Sequence, residues 1–280
     1  MRRRLDSEIV RRGLAADNAA ARRMIDANRI LVNGAPATNP ARQVGSDESI
    51  SYAKESSRFV GRGGEKLEGA LEELGVTVKG HRVLDAGAST GGFTEAVLQR
   101  GANEVLAVDV GRGQLHERLR RDPRVTIRDR TNIRLVGPQE LGQFDTVVAD
   151  LSFISLSVVM TNLVACTVPG GQLVLLVKPQ FEAERQETGH NGGVISDPEQ
   201  WRSAVESIVR SGLANGAETV GMCVSPLRGA DGNVEFFLHM RSDTDGSGHA
   251  TGQSPTTTLS AMIDKMIQSV RTTIGRGDTT

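Results

Sequence analysis

Four charged residues stand at or near the ends of patterned segments. Lys66 opens KLEGALEELG, Asp150 closes VVAD, Lys178 closes LVLLVK, and Glu235 lies in GNVEFFLHM. A charge at the carboxyl end of an apolar strand faces the mouth of a ligand crevice, where loss of water shifts proton affinity. Singly, each lysine reads equally well as a side chain snorkelling at a strand end. Together, two lysines and two carboxylates suit removal of a proton from a hydroxyl and an in-line attack on an electrophile held beside it. A lysine serves as the base only when neutral, a state that desolvation and a second ammonium favour and that carboxylates oppose. Lys178 is the candidate base and Lys66 the neighbouring ammonium. Asp150 and Glu235 would orient them, with Asp150 also able to take the proton indirectly; the sequence leaves the division of roles open.

These residues need a frame. From Arg82 onward, short β-branched runs (RVLDAG, EVLAVDVG, RVTIRD, FDTVVADLS, GQLVLLVKP) alternate with helical segments such as TGGFTEAVLQRG and SLSVVMTNLVACT. That rhythm predicts an α/β fold, a doubly wound and mostly parallel sheet, whose ligands sit at the carboxyl ends of the strands. The first strand runs into LDAGASTGGFTE, residues 84 to 95. Its glycines, Gly87, Gly91 and Gly92, do not follow the G-x-G-x-x-G spacing of a dinucleotide site, and no G-x-x-x-x-G-K-[ST] loop occurs.

The stretch resembles instead the first motif of S-adenosylmethionine-dependent methyltransferases, in which an acid closes the first strand ahead of a loop of small residues. The resemblance implies a Rossmann-like cofactor site formed by Asp85, Gly87, Ser89, Thr90, Gly91, Gly92 and Phe93, facing the methionine and ribose parts. Asp109, 24 residues after Asp85, would accept from the ribose hydroxyls, and Asp129 would reach the adenine amino group. Another α/β nucleotide binder stays the alternative. The segment after Asp150 lacks the [ND]-P-P-[YF] motif with which amino-methyltransferases grip a planar nitrogen, which favours an oxygen nucleophile. Phe153 and Phe181 bracket the same place and suit either stacking on a base or packing at the rim.

The front of the chain is its basic part. Residues 1 to 62 hold 12 Lys/Arg against 7 Asp/Glu, whereas the whole chain holds 33 against 34. A helix over Arg4 to Arg12, a second from Asn18 through AAARRMIDANR, and the strand Ile30 to Val32 before the turn signal Asn33-Gly34 follow one another there. This resembles the compact RNA-binding module of a ribosomal small-subunit protein, pseudouridine synthases and tyrosyl-tRNA synthetases. The resemblance implies backbone contacts from Arg4, Arg11, Arg22, Arg23 and Arg29, which would supply salt-dependent affinity and little sequence information. An ordinary solvated basic face is the plainer reading.

Lys66, Asp150, Lys178 and Glu235, in that order, resemble the K-D-K-E tetrad of the heat-shock-type ribose 2′-O-methyltransferases. RGGEKLEGAL, LDAGASTGGFTE, DRTNIR, VVADLSFISL, LVKPQFE and GNVEFFL, placed behind the basic module, are similar to the TlyA (haemolysin A) family of rRNA methyltransferases. That resemblance implies S-adenosyl-L-methionine-dependent 2′-O-methylation of cytidine in 16S and/or 23S rRNA of 30S and/or 50S subunits. The lack of a spanning run and of a signal-peptide core points to the cytoplasm, and a monomer is expected although the sequence does not fix the oligomeric state. One departure is Phe59, where members commonly carry Trp. Two other classes stay open. A non-catalytic RNA-binding or ribosome assembly factor is opposed by charges intact at all four tetrad positions. A haemolysin is opposed by the lack of spanning runs, secretion signal and alternating barrel segments.

The expected organisation is an RNA-binding module over 1–53, a linker over 54–65, a methyltransferase domain over 66–241, a flexible linker over 242–258 and an amphipathic helix over 259–274, expected to dock on the core, with a partner or membrane-surface contact as the alternative. The polar segment Ala183 to Ser196 would close over substrate, and Asp197-Pro198 would start a helix running to about Leu213. Cys166, Cys223 and the 5 scattered histidines have no metal-ligand spacing, so no metal is expected and the thiols read as buried.

Overall fold

The computed structural model describes residues 2–26, 29–33, 35–37, 39–45, 48–52, 58–182, 194–243 and 256–274. Gly34, most of the loop from Ala183, the first four residues of the 54–65 linker and most of the 242–258 linker therefore lie outside the described residues. The chain divides into two compact units, Met1–Arg58 and Phe59–Thr280.

The first unit contains β1 (Arg3–Arg4), α1 (Leu5–Arg11), α2 (Asn18–Asp26), β2 (Ile30–Val32), β3 (Ala35–Pro36), β4 (Gln43–Val44) and β5 (Ile50–Tyr52). Leu5 and Ile9 of α1, and Ala21 and Ile25 of α2, each sit four residues apart on one helical face and are fully buried. They close on Ile30 and Val32, which point inward from the alternating strand β2. β2 lies between β3 and β5, antiparallel to both, and β1 pairs with β4. Asn33 takes φ of 52°, as its place in a tight turn requires, and its amide oxygen accepts from Ser49 N at 2.8 Å.

The second unit starts earlier than its sequence pattern indicated. α3 (Arg62–Glu73) includes Arg62 to Glu65, read above as linker. Phe59 is 3 % exposed in the same core, and a Cβ on Gly64 would lie 2.2 Å from the Phe59 ring. The glycines that look like a flexible joint are there for close packing. After α3 come β6 (Arg82–Ala86), α4 (Gly92–Gln99), β7 (Glu104–Val108), α5 (Glu117–Arg120), β8 (Val125–Arg128), α6 (Pro138–Leu141), β9 (Phe144–Ala149), α7 (Leu156–Ala165) and β10 (Thr167–Val177). α8 (Pro179–Glu182), α9 (Pro198–Ala214), β11 (Ala217–Val224), β12 (Phe236–Ser242) and α10 (Thr256–Ile274) complete it.

Among the described residues seven strands form one sheet in the order β11-β12-β10-β9-β6-β7-β8. Neighbours are parallel except β12, which runs antiparallel to both β10 and β11. Strand alternation divides the core. Val83, Val105, Val148, Val174 and Phe237 face α3 and α4. Leu84, Leu106, Val147, Leu175 and Leu238 face α7, α9 and α10. α9 starts as its sequence indicates, with the Asp197 carboxylate accepting from Glu199 N at 3.0 Å. α10 buries Ile263, Met266, Ile267 and Val270 in the sheet's core. Cys166 and Cys223 are free and lie on opposite faces, their thiols pushed up to about 11 and about 12 by burial. Among the described residues no helix is long and apolar enough to cross a membrane.

Candidate active site

Strand order reverses at β6, with β7 and β8 to one side and β9 and β10 to the other. The carboxyl ends of β6 and β9 therefore flank the place where such sheets take ligands. The loop after β6 is shaped for close approach. Gly87 has φ of 88°, and a Cβ there would stand 2.4 Å from the Asp150 carbonyl oxygen. Gly91 has φ of 99° and would place a Cβ 2.3 Å from Leu119. Gly92, the first residue of α4, would place one 2.7 Å from Gly64 N. Ser89 also has positive φ, 48°, and with Thr90 is exposed at the loop's crest. At Gly87, Gly91 and Gly92 no larger residue keeps this backbone path.

Three acids surround the loop. Asp85 points toward the α3 and α4 side of the sheet and is fully buried. Its Oδ2 accepts from Thr94 Oγ1 at 2.6 Å, while Oδ1 is buried without a hydrogen-bond partner among the described residues. Burial pushes its pKa up to about 7, opposed by the Thr94 hydroxyl. Asp109 accepts from Ser89 N on Oδ2 at 2.8 Å and from Gly111 N on Oδ1 at 2.6 Å, so it pins the glycine loop to the one after β7. Asp129 does the same one strand further out, accepting from Gly113 N at 2.9 Å. Each carboxylate oxygen keeps a lone pair for a ligand. Phe93 is different: the helical period of α4 turns its ring into the core, where it stacks on Phe237 at 6.0 Å, so only its backbone borders the loop.

The four tetrad residues form two ion pairs. Lys66 Nζ lies 2.5 Å from Glu235 Oε2, both side chains being almost wholly buried. Lys178 Nζ lies 2.6 Å from Asp150 Oδ1 and donates to Ser152 Oγ at 2.9 Å. Asp150 and Lys178 are the residues that follow β9 and β10, adjacent parallel strands, and Glu235 immediately precedes β12 on the far side of β10. The antiparallel course of β12 is what brings its first residues to the end where β10 finishes. The Asp150 backbone that Gly87 accommodates ties this charged set to the glycine loop.

In the first unit the five arginines divide. Arg4 and Arg22 converge on buried Asp6, with Arg4 Nη2 at 2.9 Å and Arg22 Nε at 3.1 Å from Oδ2. Arg11 holds Glu8 at 2.6 Å and Arg12 shares that carboxylate at 2.8 Å. These pairs hold both acids at about 2, well below the usual carboxylate range. Arg4, Arg11 and Arg22 remain roughly half exposed, so their guanidiniums present donors outward from fixed positions, while Arg23 and Arg29 are exposed.

Sequence reasoning missed three participants. Thr94 is a buried hydroxyl on an otherwise apolar helical face, and that anomaly was its signal. Ser152 stands in a loop where serine is unremarkable. Glu182 closes the quoted LVKPQFE segment, and its carboxylate accepts from Leu156 N at 3.0 Å and from the Ser155 hydroxyl. Phe153 is 91 % exposed, has φ of 66° and leans on Phe181 at 5.2 Å between ring centroids.

A family model described as FtsJ-like methyltransferase matches residues 59–242, and one described as S4 domain matches residues 3–50. A 16S/23S rRNA (cytidine-2′-O)-methyltransferase TlyA of Mycobacterium tuberculosis is 47 % identical over 90 % of this chain and 94 % of its own. Hemolysin A of Brachyspira hyodysenteriae is 34 % identical over 84 % of this chain and 98 % of its own. A solved structure from Streptococcus thermophilus, provisionally named a hemolysin, superposes with a TM-score of 0.73 at 32 % identity, covering 100 % of this chain and 99 % of that one.

Proposed function

The chain belongs to the TlyA family of FtsJ-like methyltransferases, and on that premise we propose that it methylates the 2′-hydroxyl of cytidine in 16S and/or 23S rRNA, using S-adenosyl-L-methionine. The observation that carries the reading is the pair Lys178–Asp150 at two adjacent strand ends, joined through the Asp150 backbone to a loop that needs glycine at Gly87, Gly91 and Gly92.

The loop suits the cofactor on its own geometry. The absent side chains of Gly87, Gly91 and Gly92 let the loop pack directly on the Asp150 carbonyl, Leu119 and Gly64; among the described residues Asp85 Oδ1 faces no protein donor, and Asp109 and Asp129 stand in line beyond it. Asp85, Ser89, Thr90 and the Phe93 backbone would border the methionine portion, Asp109 the ribose and Asp129 the adenine. S-adenosylmethionine bound there supplies an electrophilic methyl group.

The chain's own residues prepare the nucleophile. A ribose hydroxyl ionises far above neutral pH, so attack needs a group that takes its proton as the C–O bond forms. Lys178 Nζ is that group once it has passed one of its own protons to Asp150 Oδ1, 2.6 Å away, and so become neutral; Ser152 fixes the lysine's direction. Lys66, held by Glu235, supplies a second positive donor to keep the target oxygen in line. Phe153 and Phe181 offer a face on which the splayed target base stacks; a positive φ at an exposed aromatic is a local cost that a binding role explains. The S4 unit anchors rRNA phosphates through Arg4, Arg11, Arg22, Arg23 and Arg29.

Methyl transfer from labelled S-adenosylmethionine to purified 30S and 50S subunits, followed by mapping of 2′-O-methylated nucleotides, tests the proposal. Label at cytidine ribose with wild type and none with Lys178→Ala supports it; no label on either subunit with wild type removes it.

A further inference from the structure

Glu182 takes no part in the chemistry above, yet its carboxylate is largely withdrawn from water. Burial raises its pKa, opposed by the Leu156 amide and the Ser155 hydroxyl that donate to it. It lies one helical turn after Lys178, at the end of α8, and reaches across to the N-terminus of α7, where negative charge is favoured.

This contact closes a seam between two segments. Residues 150–155 and 178–182 leave neighbouring strands and meet at Lys178 with Asp150 and Ser152, at Phe181 with Phe153, and at Glu182 with Ser155 and Leu156. Between β9 and α7 the chain has no ladder or helix of its own, so its path is set by its ends. One end is fixed by Asp150 N donating to Ala86 O at 3.1 Å. The other is fixed by Glu182. Phe153 sits between them at φ of 66°, a conformation that persists only where the surroundings over-determine it.

We propose that Glu182 is a positioning residue for methyl transfer, holding the segment that carries Asp150, Ser152 and Phe153 in register with Lys178. The proposal rests on the methyltransferase reading. Without the carboxylate, Phe153 relaxes out of the left-handed region and the oxygens that direct Lys178 Nζ move with it. A displacement on the order of 1 Å at a reacting group is enough to slow a reaction strongly.

The experiment compares full-length wild type, E182A and E182Q in single-turnover methyl transfer to ribosomal subunits, with cofactor affinity and stoichiometry from calorimetry. In E182A the rate per cofactor-binding site is expected to fall about tenfold or more, while cofactor affinity stays within about twofold. E182Q keeps an acceptor for Leu156 N and a partner for Ser155, and is expected to recover most of the rate. The proposal is overturned if E182A turns over at the wild-type rate per binding site, or loses activity only in proportion to lost cofactor binding, as a purely structural cap would. If E182A does not fold, Ser155→Ala removes the hydroxyl bond to Glu182 together with the α7 cap on Ser157 N, so it is compared with Ser157→Ala: a rate reduced about threefold in Ser155→Ala alone, at unchanged cofactor affinity, supports the seam, and an unchanged rate or an equal loss in both overturns it. An inert wild type condemns the methyltransferase reading; an active wild type with unimpaired variants condemns this proposal.

Discussion

Lys178 Nζ and Asp150 Oδ1 stand 2.6 Å apart across the ends of two adjacent parallel strands, so the backbone ladder beneath them fixes the spacing of the candidate base and its partner.

Lys178→Ala is expected to lower methyl transfer by about two to four orders of magnitude, the usual worth of a positioned proton acceptor, with little change in cofactor affinity. Lys178→Arg should not rescue it, because a guanidinium cannot be neutral at working pH. Rapid-quench transfer measured beside cofactor titration checks both; activity in the arginine variant would remove Lys178 as the base.

The Lys66–Glu235 pair is buried, so removing one partner strands a charge. Glu235→Ala is expected to cost about 3 to 5 kcal/mol of stability, and the double change Lys66→Met with Glu235→Leu distinctly less. Urea unfolding of the three proteins decides. A double variant less stable than Glu235→Ala would show that the pair itself stabilises the fold.

Asp85 titrates in the wrong range for a stabilising acid. Its pKa rises from 3.8 to about 7 on folding, so between those values the folded chain binds more protons than the unfolded one. Its contribution is therefore present at low pH and is lost as pH rises through that window. The stability of wild type relative to Asp85→Asn should decline from about pH 4 to about pH 7 and then level off, as read from denaturant unfolding at a series of pH values. Parallel curves would contradict the buried, protonated state.

Asp6 holds Arg4 and Arg22 together at one carboxylate. Simple electrostatics predicts that Asp6→Asn strengthens RNA binding by removing a negative charge. The geometry predicts the reverse, a several-fold loss, because two guanidiniums lose their fixed directions. Anisotropy titrations across a salt series should show weaker binding with a nearly unchanged salt slope, in contrast to Arg23→Ala, which should reduce the slope by about one. Tighter binding by Asp6→Asn would leave Asp6 with no organising role.

Much of the second unit is legible in its sequence because buried parallel strands are almost continuous apolar runs, and the charges that end them stand out. Asp150 and Lys178 announce themselves in this way. β11 does not: it is an edge strand, half exposed, with Gly221 in its middle and no clean alternation. The start of α3 escapes for a related reason, since RGG reads as a joint until Phe59 is seen packed where Gly64 has no side chain. Phe93 shows the reverse case: it belongs to the motif, yet the helical period directs its ring inward and leaves only its backbone beside the loop. Which lysine pairs with which carboxylate was beyond the sequence, because the pairing depends on the insertion of β12 between β10 and β11.

That insertion has a temporal side. Lys66 and Glu235 are separated by 169 residues, and their contact waits on a strand that enters between two others near the end of the chain. Contacts of such sequence separation form late and close slowly. A nascent chain that has emerged only as far as β10 carries the glycine loop, Lys178 and Asp150, but a Lys66 ammonium with no counter-charge. Until β12 has entered the sheet, the buried ammonium and the strand-end pair are two halves of a site that only the last strand joins.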